Sequence, residues 1–419
     1  MKKIRMGVIG LGQRGFCMMK TLASCKGTEI VAVSDKYADR TEKAADEIEK
    51  TYGKRPVVYA DYHELLKDKT VEGVMISSSW DTHVQMATDS MNAGKITAFE
   101  VGGGYDIEDC WELVRTYERT KTPVMMLENC CYDKFELLAT TLYRNGLLGE
   151  VVHCHGAYSH DIRDEIAGGN VNRHYRLINY EKRNCENYPT HELGPIARLL
   201  DVNRGNKLLT VSSVSSKAAG MEEFVLTEAN PDKSLAGRKF LQGDIVSSTI
   251  RCSNGETITL TLDTTLPKYY SREFTVRGTK GLCVQEANMV LIEGREKFND
   301  EFYPEKTLAK FLNNAASYDE YLPKIWENIT PEDMEKGHGG MDYLMLESFV
   351  NAAVNGEEMP IDIYDAALWM SITPLSEQSI ALGGTPVAIP DFTRGKWMTR
   401  TPKDVTELKT STRDNEWNP

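Results

Sequence analysis

Three glycines near the start of the chain have the spacing of a dinucleotide-binding turn. Gly10, Gly12 and Gly15 follow the apolar run 6–9, and a second apolar run ends at Asp35, about 20 residues further on. Gly10 permits the tight turn, Gly12 lets the backbone approach a pyrophosphate, and Gly15 lets the helix pack close to the strand. The helix N-terminus then attracts phosphates. Because Asp35 can accept both ribose hydroxyls and repels a 2′-phosphate, the pattern predicts NAD rather than NADP.

A tyrosine and a histidine lie three residues apart at a predicted helix start. In Tyr188-Pro189-Thr190-His191 the proline and threonine are typical of first helical positions. Tyr188 and His191 can therefore face the same side of the first turn, where such a pair can relay a proton at neutral pH. The alternative is that Thr190 caps the helix and His191 is an ordinary polar residue with its hydrogen bonds satisfied.

A second histidine-rich segment begins just after residue 150. His153 and His155 would share one face of a strand, whereas Cys154 and Tyr158 would lie on the other. Two histidines on one face could bind zinc, but no spacing pattern supplies a third ligand. We therefore predict no metal site, and Tyr158 is the residue of greater interest.

Polar residues stand where three further apolar runs end. The turn 77–83 follows one run, Glu100 ends the next, and Glu128 follows a third. Ligands of doubly wound sheets bind outside the carboxyl ends of the strands, so we expect these positions to border the nicotinamide end of the cofactor. For His83 the alternative is an ordinary place in the first turn of a helix.

Two more strings leave two interpretations open. Tyr269 and Tyr270 lie between predicted strands and either form a hydrophobic lid or stack on the apolar face of a sugar. Gly337 to Asp342 is a glycine-rich string that either has a function or simply precedes a helix.

The bulk composition excludes several functional classes. The chain has 419 residues, 62 acidic and 49 basic, and a net charge of −13, which disfavours nucleic-acid and anionic membrane partners. No run approaches the ~20 apolar residues of a membrane span, and no signal peptide is recognisable. The nine cysteines form no regular framework, so we expect a reduced, cytoplasmic protein.

The first part of the chain alternates between strand and helix patterns, which predicts an α/β fold with a doubly wound parallel sheet, as in Rossmann domains. The predicted strands are 5–10, 29–34, 73–77, 96–100 and 123–127, and the predicted helices are 14–25, 38–51, 83–93, 106–120 and 133–145.

The rest of the chain has a different texture, which predicts an α+β domain with an open, largely antiparallel sheet. Asn254-Gly255 is a type I′ hairpin signal. The predicted strands are 150–159, 208–217, 244–252, 256–263, 271–277 and 281–285, the predicted helices are 190–201, 305–327, 340–354 and 363–382, and 160–187 is a predicted loop.

This pattern and the chain length predict three parts. Residues 1–128 form an NAD-binding domain, residues 129–395 a substrate-binding domain, and residues 396–419 an extended C-terminal arm. The C-terminal helices are free to pack back on the first domain.

Taken together, these motifs resemble the Gfo/Idh/MocA oxidoreductases, and more specifically glycoside hydrolase family 109, the NAD-dependent α-N-acetylgalactosaminidase-like branch. The resemblance extends to about residue 395. The strings that carry it are Leu-Glu-Asn at 127–129, Ala-Tyr-Ser-His-Asp at 157–161, Lys-Arg-Asn at 182–184, Tyr-Pro-Thr-His-Glu-Leu-Gly-Pro at 188–195, Asp-Thr-Thr-Leu-Pro at 263–267, Tyr-Ser-Arg at 270–272, Gly-His-Gly-Gly-Met-Asp at 337–342 and Tyr-Asp-Ala-Ala at 364–367.

The resemblance implies roles for individual residues. Cofactor contacts are implied, beside the three glycines, at Gln13, Arg14, Asp35, Trp80 to His83, Glu100, Val101 and Asn129. Substrate contacts are implied at Tyr158, Arg176, Tyr188, His191 and Tyr270.

The chain also departs from the resemblance. The wider superfamily has Glu-Lys-Pro where this chain has Glu100-Val101-Gly102, followed by two more glycines. We expect this replacement to loosen a loop beside the nicotinamide. The segment 163–187, which should shape the substrate pocket, is shorter than is usual in the family, so the glycoside is not specified.

The implied reaction is a hydrolysis that includes a redox step. The sugar is oxidised at C3 by NAD⁺, the C2 proton is lost, the C1 substituent leaves, water adds, and C3 is reduced again. His191 is expected near the C3 hydroxyl, with Tyr188 orienting it or sharing the proton. Tyr158 is expected as the base at C2, with its pKa lowered by Arg176. Glu128 or Glu100 could shuttle protons.

Two other functions fit the same motifs. One is a sugar or cyclitol dehydrogenase that releases NADH, and the other is a non-catalytic regulator that binds NAD or a sugar. The presence of Tyr158, Tyr188 and His191 disfavours the regulator. We further expect a carbohydrate substrate and a homo-oligomer.

Overall fold

A computed structural model describes residues 3–102, 104–297 and 304–410. It contains fourteen strands in two sheets. The strands are β1 (Ile4–Ile9), β2 (Thr28–Ser34), β3 (Val57–Tyr59), β4 (Gly73–Ile76), β5 (Ile96–Glu100), β6 (Val124–Leu127), β7 (Val151–Ser159), β8 (Leu208–Ser215), β9 (Ile245–Cys252), β10 (Thr257–Asp263), β11 (Thr275–Gly278), β12 (Gly281–Val284), β13 (Met289–Ile292) and β14 (Val387–Ala388).

Sixteen α-helices accompany these strands in the described part of the chain. They are α1 (Gln13–Ser24), α2 (Ala38–Tyr52), α3 (Tyr62–Lys67), α4 (Trp80–Asn92), α5 (Ile107–Thr120), α6 (Lys134–Arg144), α7 (Arg163–Ala167), α8 (Gly169–Asn172), α9 (Arg176–Lys182), α10 (Pro189–Leu199), α11 (Gly220–Phe224), α12 (Pro304–Phe311), α13 (Lys324–Glu327), α14 (Pro331–Met334), α15 (Met341–Asn355) and α16 (Ile363–Ala381).

The first sheet is parallel throughout, in the order β3-β2-β1-β4-β5-β6. This order confirms the predicted doubly wound Rossmann arrangement, because it places β1 beside the point where the strand order reverses. Strands such as β4 and β6 are buried along their whole length, as expected for a sheet covered on both faces.

The second sheet has eight strands in the order β13-β12-β11-β7-β10-β9-β8-β14. All its pairs are antiparallel except β7 with β10, so the predicted largely antiparallel sheet is confirmed. On β7, Cys154 and Tyr158 are buried, whereas His153 and His155 lie on the opposite, partly exposed face.

The C-terminal helices join the two sheets into one body. α15 packs against α1, β1 and β6 of the first sheet, and α16 packs against both α5 and β8. The main core is continuous through both sheets and includes the buried side chains of Phe99 and Trp369. The division at residue 128 remains a prediction.

Several short elements differ from the predictions. The segment 160–187, predicted as a loop, contains α7, α8 and α9, which are too short to show helical periodicity. They bury Ile166, Leu177 and Tyr180 in a separate small core. The sequence also did not predict β3, α3 and β13, and the predicted helix 305–327 is interrupted at Asn313, whose φ is +61°.

The hairpin between β9 and β10 forms at the predicted place with a different turn. Gly255 has a φ of +103°, whereas Asn254 is not among the described residues with positive φ, and a type I′ turn needs positive φ at both positions. The N–H of Gly255 instead donates to the carbonyl of Cys252, the arrangement of a type I turn followed by a glycine bulge.

The end of the described chain lies along the second half of the protein. After a short turn at 396–398 the residues to 410 form no helix or strand, and Asp404 pairs with Arg144 at 3.0 Å. The last nine residues of the predicted arm, 411–419, lie outside the described residues. Among the described helices, none combines the length and the apolarity that crossing a bilayer requires.

Candidate active site

The turn between β1 and α1 leaves no room for larger side chains at two of its three glycines. Gly10 has a φ of +87°, and a Cβ there would lie 2.6 Å from the backbone of Ser77 and Ser78. A Cβ on Gly15 would lie 2.1 Å from the Gly10 carbonyl oxygen. At Gly12 the nearest atom, Arg40 Nη1, is 3.5 Å from the Cβ position, so this glycine leaves the backbone open to a ligand.

The N-terminus of α1 has the character of a phosphate site. Its N-cap, Gly12, supplies no side-chain hydrogen bond, and no acidic residue lies in the first turn. The first N–H groups are therefore free to bind an anion. This cradle fits the pyrophosphate of a dinucleotide, and Gln13 lies exposed beside it.

Asp35 lies at the end of β2, next to this turn. Its Oδ2 accepts a hydrogen bond from the Leu11 N–H at 2.7 Å, and its Oδ1 accepts one from the Tyr37 N–H at 2.9 Å. These bonds fix the carboxylate at the place where a dinucleotide fold binds ribose.

Arg14 is held by two acidic side chains. Its Nη1 and Nη2 donate to the two oxygens of Asp342 at 2.5 and 2.9 Å, and its Nε donates to Glu100 Oε1 at 3.1 Å. Although burial would lower the pKa of Arg14, Glu100 and Asp342 raise it. Asn129 also donates to Asp342, at 2.8 Å. Two predicted cofactor residues, Arg14 and Asn129, therefore bind the carboxylate of Asp342, and Glu100 is linked to it through Arg14.

Trp80 and His83 begin α4 and have different surroundings. The indole of Trp80 packs against the rings of Tyr175 and Tyr188, with centroids at 4.8 and 5.2 Å. Both ring nitrogens of His83 face backbone carbonyls, of Gly102 at 3.3 Å and of Ser78 at 3.0 Å, and the side chain is buried. His83 therefore joins two loops and has no free nitrogen for a ligand.

The loop after β5 packs closely at two of its glycines, and the expectation that these glycines loosen it stays a prediction. A Cβ on Gly102 would lie 2.4 Å from Trp80 Nε1, and its φ is +80°. A Cβ on Gly104 would lie 3.0 Å from Met370. Val101, which follows β5 and precedes these glycines, is buried. Gly103 lies outside the described residues.

The predicted catalytic residues come together in one aromatic cluster. The rings of Tyr158, near the end of β7, and Tyr188, before α10, stack with centroids 4.1 Å apart and planes 9° apart; we call this pair the tyrosine stack. The His191 ring lies 5.6 Å from Tyr158 and 5.0 Å from Tyr188. Tyr270 meets Tyr158 edge-on at 6.2 Å and is 42% exposed, so it lies at the rim.

Glu128 fixes the orientation of His191. The Glu128 Oε1 and His191 Nδ1 atoms are 2.6 Å apart, and Glu128 is fully buried. Burial raises the pKa of Glu128, but His191 and the hydrogen bonds from Thr190 and the Cys130 N–H outweigh burial and lower it. Since a carboxylate only accepts hydrogen bonds, the proton of the neutral ring lies on Nδ1 and Nε2 is left with the lone pair.

Thr190 does not cap α10, so the alternative interpretation of this segment is wrong. The N-cap is Tyr188, without a side-chain cap, and Pro189 is the first helical residue. The Thr190 side chain bonds to Glu128 instead. This first turn therefore presents His191 and supports its partner.

The two phenols of the tyrosine stack stay protonated. Burial raises the pKa of Tyr158 and of Tyr188, and Arg176 only partly opposes it. Arg176 Nη2 donates to the Tyr188 oxygen at 2.7 Å, so it is Tyr188 that this guanidinium contacts directly. Arg176 lowers the pKa of Tyr158 as expected, but burial outweighs this effect and the net shift is upward.

One cluster of possible metal ligands is present among the described residues. Ligand atoms of Glu128, Cys130 and His191 lie within 4.8 Å of one another. Burial raises the pKa of the Cys130 thiol well above its usual range, and a protonated thiol is a poor ligand. The hydrogen bond between His191 and Glu128 explains their proximity, and the absence of a metal site remains a prediction.

His153 and His155 contact other partners. His153 Nδ1 lies 2.9 Å from Thr257 Oγ1, and His155 Nε2 lies 3.3 Å from Thr261 Oγ1 on the neighbouring strand. Neither belongs to the cluster at Glu128.

A pair of buried carboxyls lies behind the tyrosine stack and was not predicted. Glu186 accepts a hydrogen bond from the Tyr188 N–H at 3.2 Å, whereas both oxygens of the Glu192 carboxyl lack a hydrogen-bond partner among the described residues. Burial raises the pKa of both groups, and the nearby Glu186 raises that of Glu192 further. Glu192 stands in a string quoted above, but nothing in the string indicates a protonated carboxyl.

Two family profiles together cover nearly the whole chain. "Oxidoreductase family, NAD-binding Rossmann fold" matches residues 4–127, and "Glycosyl hydrolase 109, C-terminal domain" matches residues 132–399.

Individual relatives agree with the profiles. A glycosyl hydrolase family 109 protein of Stenotrophomonas maltophilia is 36% identical over 96% of this chain and 91% of its own length. A protein of Tannerella forsythia named alpha-N-acetylgalactosaminidase is 35% identical over 95% and 88%. Levoglucosan dehydrogenase, solved with NADH and levoglucosan, has a TM-score of 0.68 over 93% of this chain and 100% of its own, at 17% identity. The last similarity concerns the fold alone.

Proposed function

Because the chain belongs to glycosyl hydrolase family 109 and carries an NAD-binding Rossmann domain, we propose that this enzyme is an NAD-dependent glycosidase that cleaves an α-N-acetylgalactosaminide or a similar hexoside. The observation that carries the proposal is the pairing of His191 with the buried carboxylate of Glu128 at 2.6 Å, beside the tyrosine stack. The relative from Tannerella forsythia supports the choice of substrate.

The cofactor contacts are proposed from the cradle described above. The turn Gly10, Gly12 and Gly15 with the N-terminus of α1 would hold the pyrophosphate, and Asp35 would bind the ribose and disfavour a 2′-phosphate. Gln13, Arg14, Trp80, Glu100, Val101 and Asn129 would surround the rest of the dinucleotide, with His83 supporting the loops from behind. When bound, NAD supplies a reversible hydride acceptor for C3 of the sugar.

His191 is the proposed base. Its Nε2 would take the proton of the C3 hydroxyl as C3 becomes a ketone, and it would return that proton when C3 is reduced. The ketone makes the C2 hydrogen acidic. As the C1 substituent leaves, a phenol of the tyrosine stack would give its proton to the leaving oxygen and take the C2 proton in exchange. Water would then add across C1 and C2 before C3 is reduced. Glu128 stabilises the imidazolium formed in the first step, because its carboxylate lies against Nδ1.

The tyrosine stack is proposed to bind the sugar and donate protons. Because the phenols of Tyr158 and Tyr188 are neutral, either can protonate a leaving oxygen, whereas Tyr158 as a base at C2 would have to ionise against its raised pKa. Arg176 holds the Tyr188 hydroxyl in place. Tyr270 at the rim would stack on the sugar.

The decisive test combines a panel of p-nitrophenyl glycosides with a spectrum of NADH. The purified enzyme with NAD⁺ should release p-nitrophenol without net NADH, whereas a dehydrogenase would accumulate NADH in step with oxidised sugar.

His191→Ala should abolish turnover and retain NAD binding, measured by mass spectrometry of nucleotide released from the denatured protein. Turnover of His191→Ala at the wild-type rate would contradict the assignment.

The cellular setting is proposed from the state of the cysteines. All nine cysteines are free, which supports a reducing, cytoplasmic compartment. We also propose a homo-oligomer without nucleic-acid or membrane partners. Size-exclusion chromatography with light scattering tests the oligomer, because a monomeric mass would contradict it.

A further inference from the structure

The two halves of the protein touch each other across the edge of the cofactor site. Arg173 follows α8 in the second half, and its Nη1 and Nη2 donate to the two oxygens of Asp39, in the first turn of α2, at 3.0 and 2.7 Å. Arg40 Nη2 donates in the opposite direction, to the Asn172 carbonyl at 3.1 Å. Each half thus donates hydrogen bonds to the other.

Both guanidinium groups lie over the same aromatic ring. The Arg173 Cζ atom is 4.2 Å and the Arg40 Cζ atom is 4.7 Å from the centroid of Tyr37. An exposed ion pair alone contributes little, but here two cation–π contacts and a backbone hydrogen bond act on the same groups. We call Tyr37, Asp39, Arg40, Asn172 and Arg173 together the latch.

The latch is next to the residues that would hold the adenosine end of a dinucleotide. Tyr37 follows Asp35 by two residues and donates its N–H to that carboxylate. Arg40 Nη1 lies 3.8 Å from Asp35 Oδ2 and 3.5 Å from the Cβ position of Gly12. The latch therefore spans both the ribose-binding acid and the phosphate-binding turn.

We propose that the latch holds NAD in its site between turnovers. The inference rests on the proposed function, because a cofactor that is oxidised and reduced within one cycle does not have to leave. With the latch closed, we expect release of the adenosine end to require α8 to separate from α2. Arg40 is not free to act as a ligand of a 2′-phosphate, since Asp35 and the Asn172 carbonyl hold its guanidinium.

Stopped-flow displacement of NADH by excess NAD⁺ measures how fast the nucleotide leaves. Arg173→Asn removes the guanidinium, and asparagine tolerates the left-handed backbone at this position, where φ is +56°. We expect dissociation to become about three to ten times faster. Asp39→Asn, with an intact Arg173, should raise the rate in the same direction, and it keeps the inference testable if Arg173→Asn folds poorly.

Arg55→Gln is the matched control. Arg55 lies three residues after α2, is also partly exposed and also pairs with carboxylates. Its partners are Glu42, Asp46 and Glu49, which all belong to the first half. Its dissociation rate should equal that of the wild type. Unchanged dissociation in both latch variants would overturn the latch, and so would faster association with unchanged dissociation, because the contact would then obstruct binding. A wild-type protein that binds no NADH would instead overturn the proposed function.

Discussion

At the scale of single residues, the carboxylate of Glu128 decides which nitrogen of His191 reacts. Glu128 follows β6 and His191 begins α10, 63 residues later in the chain. The sequence suggested both residues, Glu128 only as a possible proton shuttle, and could not show their contact, because nothing in the spacing indicates which strand end meets which helix.

Glu128→Gln tests this dependence. The amide keeps the size of the side chain but loses the charge that stabilises an imidazolium. Its NH₂ group can also donate to Nδ1 and so favour the tautomer of His191 that carries its proton on Nε2. We expect kcat to fall about tenfold to a hundredfold, with a changed pH dependence of kcat. A structural role alone would lower thermal stability and leave the pH profile in place, and that result would contradict the assignment.

At the scale of elements, the turn before α1 separates two functions of glycine. Gly15 permits contact between helix and strand, whereas Gly12 leaves space for a ligand. The sequence predicted both roles because the spacing of the motif is local.

Gly15→Ala and Gly12→Ala form a matched pair. The methyl group added at position 15 would press on the Gly10 carbonyl oxygen, 2.1 Å away, so we expect a loss of unfolding free energy of about 1–3 kcal/mol. At Gly12 the nearest atom is 3.5 Å away, so stability should stay within about 0.5 kcal/mol while NADH affinity falls. Denaturant unfolding and NADH titration measure these effects. Equal losses of stability in the two variants would contradict the distinction.

The two buried carboxyls near the start of α10 make the stability of the protein depend on pH. Burial raises the pKa of Glu186 and of Glu192 in the folded protein. Both carboxyls therefore keep their protons at pH values where unfolded glutamates, with a pKa of about 4.3, are ionised. Their contribution to stability is therefore complete at low pH and is lost as the pH rises through the folded pKa values.

Glu186→Gln tests the sign of this effect. The amide keeps the shape without a titrating proton, so the variant should gain stability relative to the wild type as the pH rises from about 5 to about 9. Guanidinium unfolding across this range measures the difference. Glu335→Gln, on an exposed side chain, is the control, and an identical pH slope in Glu186→Gln and the wild type would refute the prediction.

The elements that the sequence did not predict are the shortest ones. β3 has three residues, and α7 to α9 have at most seven each, too few for a repeating pattern. Their burial depends on residues from 221 to 240 that cover them. Long elements such as α5 and α16 were predicted within a residue or two, and each begins at a capping box, of Asp106 with Asp109 and of Asp362 with Asp365.

At the scale of the whole molecule, α15 returns from the second half to complete the cofactor side. Asp342 binds Arg14, 328 residues earlier in the chain, and helps to join the two sheets. Both its motif and Arg14 were recognised in the sequence, but the contact between them was not.

Asp342→Asn tests this connection. Asp342 is 3% exposed and Arg14 is 34% exposed, so the remaining guanidinium is partly solvated and the loss in unfolding free energy should be about 1–3 kcal/mol. NADH affinity should fall as well, because Arg14 loses its position. Asp46→Asn, at an exposed ion pair of α2, should change stability by less than about 0.5 kcal/mol. Equal effects of the two substitutions would contradict the connecting role.

The contact between Gly102 and Trp80 also restricts which residues position 102 can accept. Proline requires a φ near −65°, whereas position 102 has a φ of +80° and faces the indole nitrogen of Trp80, 2.4 Å from where a Cβ would stand. A proline at position 102 would therefore have to change the backbone and displace the indole together. The Glu-Lys-Pro string of the wider superfamily cannot be restored in this chain by changing these three residues alone.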